Sequence, residues 1–182
     1  MDALDAIFTR KSVRNFTDQH ISDADLRTIL EAGMSGPTCV MARDWSFIVI
    51  RDKDLLGKVA DGNGHAADPL RGADVGILIC GDLSRSFKVA PDYWIIDGAI
   101  AGQNMVIAAT ALGIGSVWLG TYPEMNRVEN QIKLFDLPEH IRPHSVLALG
   151  YADPDAKGND RPKPPHVFTG RYEEDRVHFD QW

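Results

Sequence analysis

Cysteine is scarce. Cys39 and Cys80 are the two in 182 residues, which excludes a disulfide framework and any zinc site built from cysteine pairs. Reduced thiols in a cytoplasmic protein are expected. Positive charge is also short, with 19 Lys and Arg against 26 Asp and Glu and a net charge of −7. That balance makes general nucleic-acid binding a poor fit, and no basic amphipathic segment suits a membrane surface. Met1 to Ser12 lacks an apolar core of signal-peptide length. The longest hydrophobic stretch, Tyr93 to Leu119, is broken by Asp97, Gln103, Asn104 and several glycines, so a buried helix followed by a strand is expected rather than a membrane span. Gly and Pro, at 16 and 10 residues, are too few for a low-complexity chain.

Recognised catalytic signatures are missing as well. There is no P-loop and no Gly-x-Ser-x-Gly elbow. Leu112-Gly113-Ile114-Gly115-Ser116 follows a helix and precedes a strand, the reverse of a dinucleotide fingerprint. His140 and His144 have helical ligand spacing, but Pro143 between them excludes a zinc-binding helix. No metal and no protein nucleophile or general base is expected.

What is present reads as alternating helices and strands. Asp2 caps a short helix with Leu4, Ile7 and Phe8 on one face. Ser22-Asp23-Ala24-Asp25 resembles a capping box, and Leu26, Ile29 and Leu30 form the stripe behind it. Trp45 to Ile50, Val75 to Cys80, Ser116 to Leu119 and Ser145 to Leu149 read as strands. Lys53 to Ala60, Tyr93 to Leu112 and Glu124 to Phe135 read as helices, and Asp61 to Gly72 as a loop. The pattern predicts an α/β or α+β sandwich around one sheet. Asp153 to Pro165 holds four prolines among charges and is expected to run extended; Tyr172, Val177, Phe179 and Trp182 beyond it need a surface to pack on. Their own chain or a second subunit would serve.

Two segments carry candidate chemistry. Arg10, Lys11, Ser12 and Arg14 place three cations and a hydroxyl within five residues of an acidic chain. Such a set suits a phosphate monoester, and equally a solvated helix end. Ser35-Gly36-Pro37-Thr38-Cys39 is a loop of small residues that lets a flat ligand approach the backbone, or simply joins a helix to a strand. Asp97, Gln103 and Asn104 need polar partners inside an apolar helix, from neighbouring backbone or from a cavity.

Taken in order, these segments resemble the nitroreductase family of FMN-dependent oxidoreductases. The likeness is carried by Arg10-Lys11-Ser12-Val13-Arg14-Asn15-Phe16, by Ile29 to Met34 leading through Pro37 to Trp45-Ser46-Phe47-Ile48-Val49, and by Asp97, Gln103-Asn104 and Leu112 to Gly120. Leu137 to Ile141, Ala148 to Tyr151, Arg171-Tyr172 and Val177 to Trp182 follow in sequence.

The resemblance implies an α+β fold, a three-layer α/β/α sandwich with a mainly antiparallel central sheet. It implies an FMN-binding core over residues 1–152 and a C-terminal tail over 153–182, part of the same domain, that packs on the partner of a homodimer. Arg10, Lys11, Ser12, Arg14 and Arg171 would serve the phosphate and ribityl region. Ser35, Thr38 and Cys39 of the other subunit, and the backbone of Trp118, Leu119 and Gly120, would lie by the isoalloxazine ring. The implied activity is hydride transfer from NADH or NADPH through flavin N5 to a nitro compound, quinone or other small planar acceptor, by a ping-pong mechanism. An FMN-binding sensor or carrier with little turnover is the alternative.

The chain departs from the family's usual pattern in two places. Met41-Ala42-Arg43-Asp44 stands before Trp45 where Asn-x-Gln-Pro is common, and Asp68 stands near a frequent lysine. Met41 cannot donate the hydrogen bond an Asn gives to the ring edge.

Overall fold

The structure is a computed structural model that describes residues 1–157 and 172–182. In chain order it contains α1 (Ala3–Thr9), α2 (Asp23–Met34), β1 (Trp45–Ile50), α3 (Lys53–Asn63), β2 (Val75–Asp82), α4 (Tyr93–Ala111), β3 (Gly115–Gly120), α5 (Met125–Phe135) and β4 (Ile141–Gly150). Short 3-10 segments cover Cys39–Met41, His65–Gly72 and Glu174–Arg176. The expected helix starts are present: Asp2 accepts the Asp5 N–H, and Ser22 accepts the Asp25 N–H while its hydroxyl donates to the Asp25 carboxylate. The segment from Asp61 to Gly72 is helical rather than a loop. Its first residues extend α3, and Gly64, at φ 82°, makes the break before the 3-10 segment.

The four strands form one antiparallel sheet in the order β1-β2-β4-β3. Alternation along the two central strands sends side chains to opposite layers. Val75, Ile77, Ile79, Leu147 and Leu149 pack with Leu26 and Ile29 of α2 and Met105, Val106 and Ala109 of α4. Leu78, Cys80, Val146 and Ala148 pack with Leu56, Val59 and Ala60 of α3 and with Ala67 and Leu70. Both layers are apolar because both faces of the sheet are covered. The expected three-layer α/β/α sandwich is therefore what the chain forms.

Pro143 lies inside a central strand, where a proline normally costs a ladder bond. The pairing steps from Ile79–Ser145 to Cys80–Pro143, leaving His144 as an extra residue on β4. This bulge admits the proline and frees the His144 carbonyl, which accepts the N–H groups of Thr121 and Tyr122.

Helix α4 is apolar almost all round, as its central position requires, and glycines let it approach the sheet. Gln103 departs from the expectation of a buried amide, since it is exposed. Asn104 is half-buried and donates to the Ala32 carbonyl of α2 at 3.2 Å. A second departure concerns α1, whose Leu4, Ile7 and Phe8 remain 63%, 46% and 46% exposed in the single chain. No helix among the described residues is long and apolar enough to cross a membrane.

Candidate functional site

The basic segment leaves α1 and runs beside the start of β3. Arg10 caps the helix, half-buried, with its N–H on the Ala6 carbonyl. Ser12 forms a parallel bridge with Ser116, and the Val13 N–H donates to the Ser116 carbonyl at 2.9 Å. Gly115 makes this approach possible, because a Cβ there would lie 2.9 Å from three Val13 carbons. Lys11 is half-buried and lines an apolar recess of about 240 Å³ with Thr9, Thr110, Gly113 and Ile114. Arg14 is exposed, and its Nη1 donates to the Ser12 carbonyl at 3.3 Å.

Arg14 also walls an open cleft of about 390 Å³, with Asn15 and Phe16 on one side, Asp68, Pro69 and Gly72 on the other, and Asp153 at its edge. A Cβ on Gly72 would meet nothing within 4 Å. Gly72 thus leaves its part of that wall without a side chain. Asp68, where a cation was expected from the family pattern, is paired with His65 and with Arg71 at 3.5 Å. Arg71 supplies beside it the positive charge that the residue itself lacks.

At the far end of β3, Gly120 is exposed and its Cβ position is also open. Its carbonyl is fixed from two sides, by Asn63 Nδ2 at 3.1 Å and Arg127 Nη1 at 3.0 Å. Buried Asn63 accepts the Thr121 hydroxyl at 2.8 Å. Sequence reasoning missed this clamp; its trace is an Asn before Gly64, which resembles ordinary loop composition. Leu119 is buried, and Trp118 is half-buried with its ring over α4.

The small-residue loop sits elsewhere. Ser35 caps α2 and its hydroxyl donates to the Glu31 carbonyl at 2.7 Å. Thr38 Oγ1 accepts the Arg43 N–H at 3.1 Å. The Cys39 N–H reaches both carboxyl oxygens of Asp97, at 3.2 and 3.0 Å. Val40, Met41 and Arg43 have φ of 45°, 59° and 49°, with right-handed Ala42 between them; each such residue costs about 1–3 kcal/mol and tends to mark functional loops. Cys39 is half-buried and free; Cys80 is buried and free, with burial pushing its thiol up to about 12. Arg171 lies outside the described residues.

Helix α4 separates these two halves. Its Asp97 end holds the Cys39 loop, while its Thr110 end borders Lys11. Thirteen residues of helix span about 20 Å. One chain therefore does not bring Ser35, Thr38 and Cys39 onto the basic segment.

Arg14 at an open cleft, with Arg10, Lys11 and Ser12 in the same segment, suits a planar cofactor that carries a phosphate, and the cleft is within the usual range for small ligands. The class this defines is the flavin-dependent oxidoreductases built on one antiparallel sheet. The chain belongs to the Nitroreductase family, whose model matches residues 7–63 and 61–151. It is 38% identical over 182 residues to a protein of Methanothermobacter thermautotrophicus provisionally named an NADH dehydrogenase/NAD(P)H nitroreductase, covering 100% of this chain and 88% of that one. A crystal structure of a Bacteroides thetaiotaomicron protein with the same provisional name superposes with a TM-score of 0.85 at 36% identity, covering 99% and 98% of the two chains. A provisionally named nitroreductase of Desulfovibrio desulfuricans, solved in complex with FMN, gives a TM-score of 0.72 at 29% identity, over 86% and 90%. The protein is an NAD(P)H-dependent flavin oxidoreductase, and FMN is its cofactor.

Proposed function

We propose that the working unit is a homodimer with FMN at the subunit boundary. Arg10, Lys11, Ser12 and Arg14, with Arg171 from the tail, hold the phosphate and ribityl end. The backbone of Trp118, Leu119 and Gly120 flanks the ring on one side, and Ser35, Thr38 and Cys39 of the second copy approach from the other. The observation that carries this reading is the span of about 20 Å that α4 places between the two sets within one chain. The exposed stripe of α1 supports it, as do the tail's Tyr172, Phe179 and Trp182 at 71%, 80% and 100% exposure. Apolar side chains in such numbers need a partner surface. The division into a core over 1–152 and a tail over 153–182 belongs to the same reading.

When bound, FMN would supply the redox chemistry of hydride transfer from NADH or NADPH to a nitro compound, quinone or similar acceptor. The chain's own part is binding and orientation. The cations and the Ser12 hydroxyl fix the phosphate end by charge and directed donors. The Asn63–Gly120–Arg127 contacts keep the end of β3 rigid, so its backbone holds one geometry against the ring. A single site taken by donor and acceptor in turn would give ping-pong kinetics. Free Cys39 and Cys80 suit a cytoplasmic location.

The test is anaerobic mixing of the FMN-loaded protein with NADH and, separately, NADPH, followed at the flavin absorbance, and then an acceptor panel. Rapid bleaching with one donor and parallel double-reciprocal lines are expected. Bound flavin that neither donor bleaches would overturn the turnover reading in favour of a sensor or carrier.

A further inference from the structure

Arg127 is a half-buried cation with more donors than its surroundings use. It stands in the first turn of α5, where the helix dipole disfavours positive charge. Arg27, Arg51 and Arg71 pair with Glu31, Asp74 and Asp61; among the described residues no carboxylate pairs with Arg127. Its side chain donates from Nη1 to the Gly120 carbonyl at 3.0 Å. Asn63 Nδ2 already serves that oxygen at 3.1 Å, so the carbonyl does not by itself require a cation.

The other edge of the guanidinium, Nε and Nη2, meets no acceptor among the described residues. This is an edge that grips a carboxylate through two parallel hydrogen bonds. Both nitrogens lie 4.0 Å from the point where a Cβ on Gly64 would stand. Gly64 and Gly120 are both exposed, and at Gly120 a Cβ would meet nothing within 4 Å. The polar side chains nearby are engaged elsewhere: Asn130 with the Gly62 carbonyl at 3.0 Å, Asp61 with Arg71, and His65 with Asp68. Glu124, the residue before α5, is exposed and makes no capping bond. The free edge of Arg127 thus borders two residues that have no side chains.

We propose that Arg127 determines specificity, its Nε–H and Nη2–H binding a carboxylate carried by the planar electron acceptor. This rests on the reading above that the Gly120 backbone flanks the flavin ring. Arg127 then stands at the edge of that ring, within reach of a substituent on an aromatic compound or quinone stacked there. The donor's phosphates hang from its sugars, farther from the nicotinamide, so the acceptor's own substituent is the group that this position suits. A chain of net charge −7 repels anions in general, and a fixed cation reverses that repulsion locally. The preferred acceptors are therefore nitroaromatic or quinone carboxylates rather than their neutral counterparts.

The experiment compares benzoate with benzamide, a neutral ligand of nearly the same shape, on the FMN-loaded protein. Affinities come from calorimetry, and contact with the side chain from the Arg127 Nε–H cross-peak in a nitrogen–proton NMR spectrum, assigned by its absence from Arg127→Lys. In turnover, para-nitrobenzoate and para-nitrobenzamide make the same comparison. Wild type should favour the carboxylate by about tenfold or more, the worth of one charge-assisted contact. Arg127→Gln keeps a donor for Gly120 without the charge and should lose the preference, while Arg127→Lys should retain part of it. Any loosening at Gly120 weakens both ligands alike, so the ratio isolates the charge. If Arg127→Gln does not fold, Arg127→Met takes its place, and the wild-type cross-peak, which should shift with benzoate and not with benzamide, decides independently. Equal ratios in wild type and the neutral variant, or a cross-peak that benzoate leaves in place, would overturn the proposal. So would a KM that rises for NADH or NADPH and not for para-nitrobenzoate, which would put a donor phosphate on Arg127. A protein that takes up no FMN overturns the flavin reading instead, and the benzoate shift of the cross-peak then decides the carboxylate site alone.

Discussion

The edge of the Trp118 indole rests on the backbone of Gly102: a Cβ built there would lie 2.3 Å from Cζ3 and 2.4 Å from Cη2. This contact sets how closely α4 lies on the sheet beneath it. Ile79 Cδ1, 2.9 Å from the same position, closes the third side. Neither an indole ring nor a packed Ile has room to yield. Gly102→Ala should therefore destabilise the fold by about 1–3 kcal/mol through overpacking, despite its gain in helix propensity. Urea unfolding of the two proteins measures this; equal midpoints would refute the packing account.

Arg10→Ala should weaken FMN binding with little change in fold, because Arg10 sits at the exit of α1 and outside both core layers. Loss of one charge-assisted phosphate contact is worth about 1.5–3 kcal/mol, or roughly a 10- to 150-fold weaker affinity. Titrating apoprotein with FMN by fluorescence quenching gives the number. Wild-type affinity in the variant would remove Arg10 from the phosphate site.

Met41 is 82% exposed and adopts φ 59°. Asn tolerates that backbone better than Met does and restores a side-chain donor. Met41→Asn should leave thermal stability unchanged or slightly raised while shifting the flavin midpoint potential and the acceptor profile. Spectroelectrochemical titration decides it, since an unchanged potential would show that Met41 does not influence the ring.

Two buried groups pull stability in opposite directions as pH falls. Burial holds His144 below its ordinary 6.5, so the unfolded chain takes up that proton first and stability declines as pH drops through 6.5. Asp97 is raised from 3.8 to about 6. There the native state takes up the proton first, and stability is gained as pH falls from about 6 toward 3.8. Wild-type denaturation midpoints should therefore vary weakly below pH 6, whereas Asp97→Asn, which lacks the compensating gain, should fall more steeply. Parallel curves would show that Asp97 does not titrate in this window.

Removing residues 172–182 deletes Tyr172, Phe179 and Trp182, all exposed in the single chain. If they pack on a second copy, the truncated protein should dissociate at concentrations where the full chain is dimeric. It should also release FMN more readily. Light scattering coupled to size exclusion measures the mass, and an unchanged dimer would assign these aromatics another role.

Much of the local structure was legible in the residues. Ser22 with Asp25, the β-branched run of Trp45 to Ile50 and the broad apolar face of α4 each announce their element through short-range chemistry. Asp61 to Gly72 was misleading because Gly, Asp and Ala form 3-10 turns as readily as loops, and its apolar anchors Ala67 and Leu70 become meaningful only when buried against α3. Periodicity within α5 does not announce Gln131, which is fully buried and donates to the Val59 carbonyl at 3.0 Å.

The sequence by itself determined the helix starts, the strands, the apolar central helix and the basic cluster at Arg10, Lys11 and Arg14, because caps, periodicity and charge act within a few residues. Tertiary structure alone decided that Asp97 meets the Cys39 N–H, that Pro143 lies in a strand through the His144 bulge, and that Asn63 grips Gly120. Each of these joins positions far apart in the chain. Their partners are chosen by sheet register and by which faces α4 and α3 bury, a choice that cooperative packing makes.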